Sequence, residues 1–97
     1  MMFYNCFKSI NNKLLMDLYR GTIYFDNTSQ YFEIIFMAKD IESALNLFKI
    51  LCLENKNTIL SINKTRIITN FNIWIFANVT KQNIEYIGNY CVKVINA

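Results

Sequence analysis

Between Tyr31 and Ile62 the spacing of apolar positions changes from strand-like to helical and back, outlining the clearest unit in the chain. Tyr31-Phe32-Glu33-Ile34-Ile35-Phe36-Met37-Ala38 is apolar on both alternating faces apart from Glu33, which predicts a central strand. Asp40 then sits where a helix N-cap belongs, with Glu42 in the first turn to complement the helix dipole. Ile41, Ala44, Leu45, Phe48, Leu51 and Cys52 recur at i, i+3, i+4 and i+7, the stripe of a helix lying on a core. Leu47, Ile50 and Leu53 widen the stripe, while Glu42, Asn46, Lys49 and Glu54 keep to the other side. Thr58-Ile59-Leu60-Ser61-Ile62 is short and β-branched, and predicts another strand.

Earlier in the chain, Met2 to Phe7 reads as a strand or packed arm. Ser9 to Arg20 reads as a helix with Leu14, Leu15, Leu18 and Tyr19 on its apolar face and Gly21 ending it. Thr22 to Phe25 predicts a strand, and Asp26 to Gln30 a hairpin loop. Beyond Ile62, a turn at Asn63-Lys64 leads to a strand over Arg66 to Thr69, followed by a longer strand over Phe71 to Val79, with Phe71, Ile73, Ile75, Ala77 and Val79 on one face, Trp74 and Phe76 on the other, and both faces at least partly covered. Thr80 caps a short helix over Lys81 to Ile87, closed by Gly88, and Cys91 to Ile95 forms the last strand with Val92 and Val94 inward.

These elements predict one small α+β domain, with α/β as the alternative: a mixed sheet carrying two or three helices mainly on one face. The order of the first six, strand 2–7, helix 9–20, strand 22–26, strand 31–38, helix 40–54 and strand 58–62, is that of a ferredoxin-like βαββαβ unit, with a β-α-β extension after it. Right-handed crossovers would join the strand–helix–strand units.

Composition adds a tension to this picture. The chain has 97 residues and is 54% hydrophobic, more apolar material than so small an interior takes in. Exposed apolar surplus marks partner surfaces. The net charge of +3 is mild and its cations are scattered, so nothing demands an anionic partner. Cys6, Cys52 and Cys91 are odd in number without CxxC spacing, and read as reduced thiols of a cytoplasmic protein. No apolar run is long enough for a membrane span, and Met1 to Lys13 lacks the pattern of a signal peptide. The wealth of Asn, Ile, Lys, Phe and Tyr points to an AT-rich source, such as a low-GC bacterium, its phages or plasmids, or an organelle.

The candidate chemistry is sparse. The chain has no histidine, which removes the usual general base, the usual metal ligand and every histidine-activated nucleophile. With two glycines, Gly21 and Gly88, no phosphate-cradling loop can be built. No spacing supports a metal site or a cofactor. Asp40 and Glu42 are explained by helix capping. Glu33 interrupts an apolar strand; the readings are a pair with Arg66 or a lysine across the sheet, a place near the strand end in water, or a contact with a ligand or partner.

Function therefore falls to surfaces. Tyrosines next to charges are the candidate anchors, because a phenol can be half buried at low entropic cost. The candidate partner-binding residues are Tyr19, Arg20, Tyr24, Tyr31, Glu33, Arg66, Trp74, Tyr86 and Tyr90. They predict a non-enzymatic protein-binding module that occupies a larger partner or a second copy of itself, of the kind that phages and mobile elements use to inhibit host defence. The alternative is a small nucleic-acid-binding domain that stacks bases on an aromatic and basic sheet face.

Overall fold

The computed structural model describes residues 8–10, 13–25, 29–63 and 68–93. Its elements are β1 (Lys8–Ile10), β2 (Lys13–Tyr24), β3 (Tyr31–Ala38), α1 (Ile41–Glu54), α2 (Lys56–Ile62), α3 (Phe71–Asn78), a 3-10 turn (Lys81–Asn83) and β4 (Ile84–Lys93). The four strands form one sheet in which every pairing is antiparallel and every other strand pairs with β2. β4 runs along Lys13 to Gly21 on one edge of β2. β1 and β3 share the other edge, at Lys13–Leu15 and Asp17–Tyr24. The class is α+β, as predicted, but the ferredoxin-like order is not confirmed: the described elements run β-β-β-α-α-α-β, with no parallel pairing among them.

Register sorts the side chains of β2 between two faces. Tyr19, Gly21 and Ile23 lie opposite Phe36, Ile34 and Phe32, and these face the helices. Leu18, Arg20, Thr22 and Tyr24 lie opposite Met37, Ile35, Glu33 and Tyr31 on the other face. The core is closed by Ala44, Phe48, Leu51 and Cys52 from α1, Ile59 from α2, and Phe71, Ile75 and Val79 from α3 and its end. Phe48 stacks parallel on Phe36, with ring centroids 6.0 Å apart, and Phe36 in turn stacks on Tyr19 at 6.1 Å. Burying aromatic rings in this way supplies much of a small domain's stability.

β3 and α1 form where the pattern places them. Asp40 is the N-cap, its Oδ1 accepting from the Ser43 amide at 2.8 Å. Ile50, read as part of the buried stripe, is instead 49% exposed. Cys52 is fully buried, and burial pushes its thiol up to about 12, so it fills the core as a protonated side chain.

Elsewhere the sequence reading is corrected. Ser9 to Arg20 is not a helix: residues 8–10 and 13–20 belong to β1 and β2, because partners on both edges of β2 outweigh a local helical spacing of leucines. Gly21 ends no helix, since it lies inside β2. The strand predicted over Thr58–Ile62 is helix α2, with Ile59 buried. The strand predicted over Phe71–Val79 is helix α3: Phe71, Ile75 and Val79 alternate but also fall at i, i+4 and i+8, and that spacing is the one that meets the core. Thr80 does cap, through a capping box with Asn83, but only a 3-10 turn follows before Ile84 enters β4. Asn83 Nδ2 donates to the Thr22 carbonyl at 3.0 Å, tying that turn to β2. Gly88 faces Leu18 across a bulge in the β2–β4 ladder. β3, predicted to be central, pairs among the described residues with β2 alone. Thr69 lies in a bend, and Cys91 lies within β4 without opening it. The segments 2–7, 26–28, 64–67 and 94–95, on which other expectations fall, lie outside the described residues.

Candidate interaction surfaces

Four of the predicted site residues meet on the sheet face turned away from the helices. Arg20 projects between two carboxylates: its Nη1 donates to Glu85 Oε2 at 3.1 Å, and its Nε lies 3.1 Å from Glu33 Oε1. The Nε contact is off the hydrogen-bond angle and acts as an ion pair. Among the described residues Glu33 thus pairs with Arg20; Arg66 and Lys64 lie outside them. One guanidinium serves two carboxylates, so the trio carries a net negative charge. Beside it Tyr24 and Tyr31 face each other across the β2–β3 ladder with centroids 5.8 Å apart, both exposed.

The remaining predicted residues lie elsewhere. Tyr19 belongs to the core, and burial, with Asp17 nearby, raises its phenol to about 12. Tyr86 packs edge-on against Tyr19 while staying half exposed, and its hydroxyl donates to Asn89 Oδ1 at 2.6 Å. Trp74 is on α3, not on the sheet, and packs at the core margin. Tyr90 lies opposite Met16 in the β2–β4 ladder.

A second surface went unnoticed in the sequence. α3 reads FNIWIFAN and is apolar around most of its circumference, yet only Phe71 and Ile75 are buried. Ile73, 69% exposed, and Phe76, 54% exposed, fall at i and i+3 with Ala77 beside them, giving an outward apolar stripe. α1 packs against α3, and Lys49 of α1 holds its ammonium 5.4 Å from the Phe76 ring centre. A helix that is hydrophobic all round is ordinarily buried all round. The signal available in the sequence is that Phe71 to Ala77 carries a single polar residue, Asn72; the alternation of the same stretch mimics a strand covered on both faces.

Chemically, the described groups hold and contact; no set of three His, Cys, Asp or Glu side chains comes together among them as a metal site would require. No helix among the described residues is long and apolar enough to cross a membrane. Scans against protein-family models, curated proteins and solved structures return no match.

Proposed function

We propose that the protein is a non-enzymatic binding module that works by occupying the surface of a larger protein or of a second copy of itself. The observation that carries this reading is α3, which leaves Ile73 and Phe76 in water although its other side is packed on the core. Exposed apolar side chains clustered on one helix face are the usual centre of a protein interface, where aromatic and aliphatic anchors become desolvated. The cation offered by Lys49 over Phe76 gives that patch a polar rim. An inhibitor of a host system is one form such a module takes; the AT-biased composition is its sole support.

The nucleic-acid reading fits the structure less well. The aromatic sheet face it needs is there, but its one described cation, Arg20, is offset by Glu33 and Glu85, and a polyanion would meet net negative charge.

The test is light scattering on the purified chain, followed by capture from cells with wild-type and Phe76→Ser/Ile73→Ser baits. Self-association, or a stoichiometric protein partner, is expected for the wild type and is lost with the double variant. Equal capture by both baits, or turnover of a substrate, defeats the proposal.

A further inference from the structure

Among the described residues the outer edge of β3 is unpaired and borders a groove of about 690 Å³ whose far wall is α2, lined by Tyr31, Glu33, Ile34, Asn55, Thr58 and Ile62. A strand edge facing a helix across an open groove is the arrangement that accepts an extended peptide as an added strand.

The main chain of β3 is suited to that use. The Phe25 amide donates to the Gln30 carbonyl, so those two form a hydrogen-bonded pair at the head of the β2–β3 hairpin. Pairs alternate in an antiparallel ladder. Phe32, Ile34 and Phe36 therefore spend their main-chain groups on β2, while Tyr31, Glu33 and Ile35 turn theirs outward. Tyr31 and Glu33 present theirs to the groove. Natural edge strands are protected by lysine, proline, bulges or shortness. β3 has eight residues, Glu33 as its single charge, and no Lys or Pro.

The two sides of the groove differ in chemistry. Side chains of an added strand that point towards α2 would meet Ile62 and the methyl of Thr58. Those pointing to the opposite face would meet Glu33, whose trio with Arg20 and Glu85 has one carboxylate in excess, and the exposed ring of Tyr31, itself backed by Tyr24. A carboxylate next to aromatic rings favours an ammonium or guanidinium.

We infer that the β3–α2 groove binds an extended segment of another protein by strand addition, and that this segment alternates apolar residues with lysine or arginine. The bordering stretch Tyr31–Ile34 spans roughly 13 Å of strand, enough for about four peptide residues. This surface is separate from the α3 stripe and does not depend on it.

The test is selection of a random octapeptide display library on the intact protein at low salt, with synthetic copies of the enriched peptides then titrated. Enriched sequences are expected to alternate apolar and basic residues. N-methylation of alternate peptide amides should weaken binding at least tenfold. Thr58→Arg, at an exposed position that fills the groove, should abolish binding without loss of thermal stability, and Glu33→Gln should reduce it several-fold. The inference is overturned by a selection with no enrichment, by enriched peptides that lack the alternation, or by indifference to N-methylation. Binding that survives Thr58→Arg but is lost with Phe76→Ser also overturns it, while leaving the α3 proposal standing. A dimer dissolved by Thr58→Arg would give the groove to a second copy instead, which is a further refutation.

Discussion

The ring of Phe48 occupies the space that a side chain at position 21 would need: a Cβ built on Gly21 would lie 2.4 Å from two of its atoms. Gly21 is buried between Ile34 of β3 and Ile84 of β4, and its bare backbone lets α1 settle onto the middle of the sheet. Phe48 is fully buried and stacked on Phe36, so it has nowhere to retreat. Gly21→Ala should therefore destabilise by ~1–3 kcal/mol, the clash outweighing the roughly 0.4–1 kcal/mol that alanine gains in chain entropy. Urea unfolding checks this. Shrinking the ring supplies the control: in a Gly21→Ala/Phe48→Leu protein the two costs should be clearly less than additive.

The two sides of α3 should respond oppositely to substitution. Ile75 is fully buried, and Ile75→Ala should cost ~2–5 kcal/mol. Ile73→Ser and Phe76→Ser lie outside the core and should each change stability by no more than about 0.5 kcal/mol. Both should raise solubility. A large loss of stability in either would mean that the outward stripe is structural.

Asp40 and Glu42 sit in the same turn but do different work. Asp40 accepts from the Ser43 amide, and Asp40→Ala should cost about 1 kcal/mol. Glu42 pairs with Lys81 in an exposed ion pair, so Glu42→Gln should fall within a few tenths of wild type. Thermal unfolding of the two variants separates a hydrogen-bonded cap from a screened contact.

Arg20 is partly exposed, at 39%, as is Glu85, at 65%, while Glu33 is 27% exposed. Solvent screening limits each pair to less than about 1 kcal/mol. Arg20→Met should nevertheless cost more than Glu33→Gln, because it leaves two like charges on one face, and high salt should narrow the difference. Denaturation midpoints at low and high salt read both effects.

Alkaline pH should erode stability through two core groups. Cys52 rises from 9.0 to about 12 and Tyr19 from 10.0 to about 12, each chiefly because burial penalises the charged form. Both hold their proton more tightly folded than unfolded. Their contribution is complete below pH 9.0 and is lost as pH climbs towards about 12, at up to ~1.4 kcal/mol per pH unit for each group. Cys52→Ala should flatten the decline in urea midpoint above about pH 9, and Tyr19→Phe above about pH 10.

What the sequence made legible was local. β3 and α1 were readable because pattern and capping agree there, from Tyr31 through the Asp40 cap to Cys52. Thr80 was readable as a cap for the same reason, although only a turn follows it. The failures lie where a stretch satisfies two periods at once. Phe71 to Val79 alternates and also repeats every four residues, and local pattern cannot choose between them. β2 failed for a different reason, since its identity rests on partners far along the chain. The candidate site divided in the same way. Arg20, Tyr24, Tyr31 and Glu33 were found because tyrosines beside charges are conspicuous, but their convergence is a fact of register. Ile73 and Phe76 are hidden in the sequence because the alternation of Phe71 to Val79 mimics a strand with both faces covered.

Because β4 must reach back across 65 residues to meet β2, as the Arg20–Glu85 contact records, the second edge of β2 cannot be closed until the helical segment has been made. During synthesis β1, β2 and β3 are made first, with the groove edge of β3 and the β4 edge of β2 both open. The assembly of this sheet is therefore a race between the ribosome and any neighbouring chain with a strand to offer, and the slow closure expected of distant pairings is the interval in which that race is run.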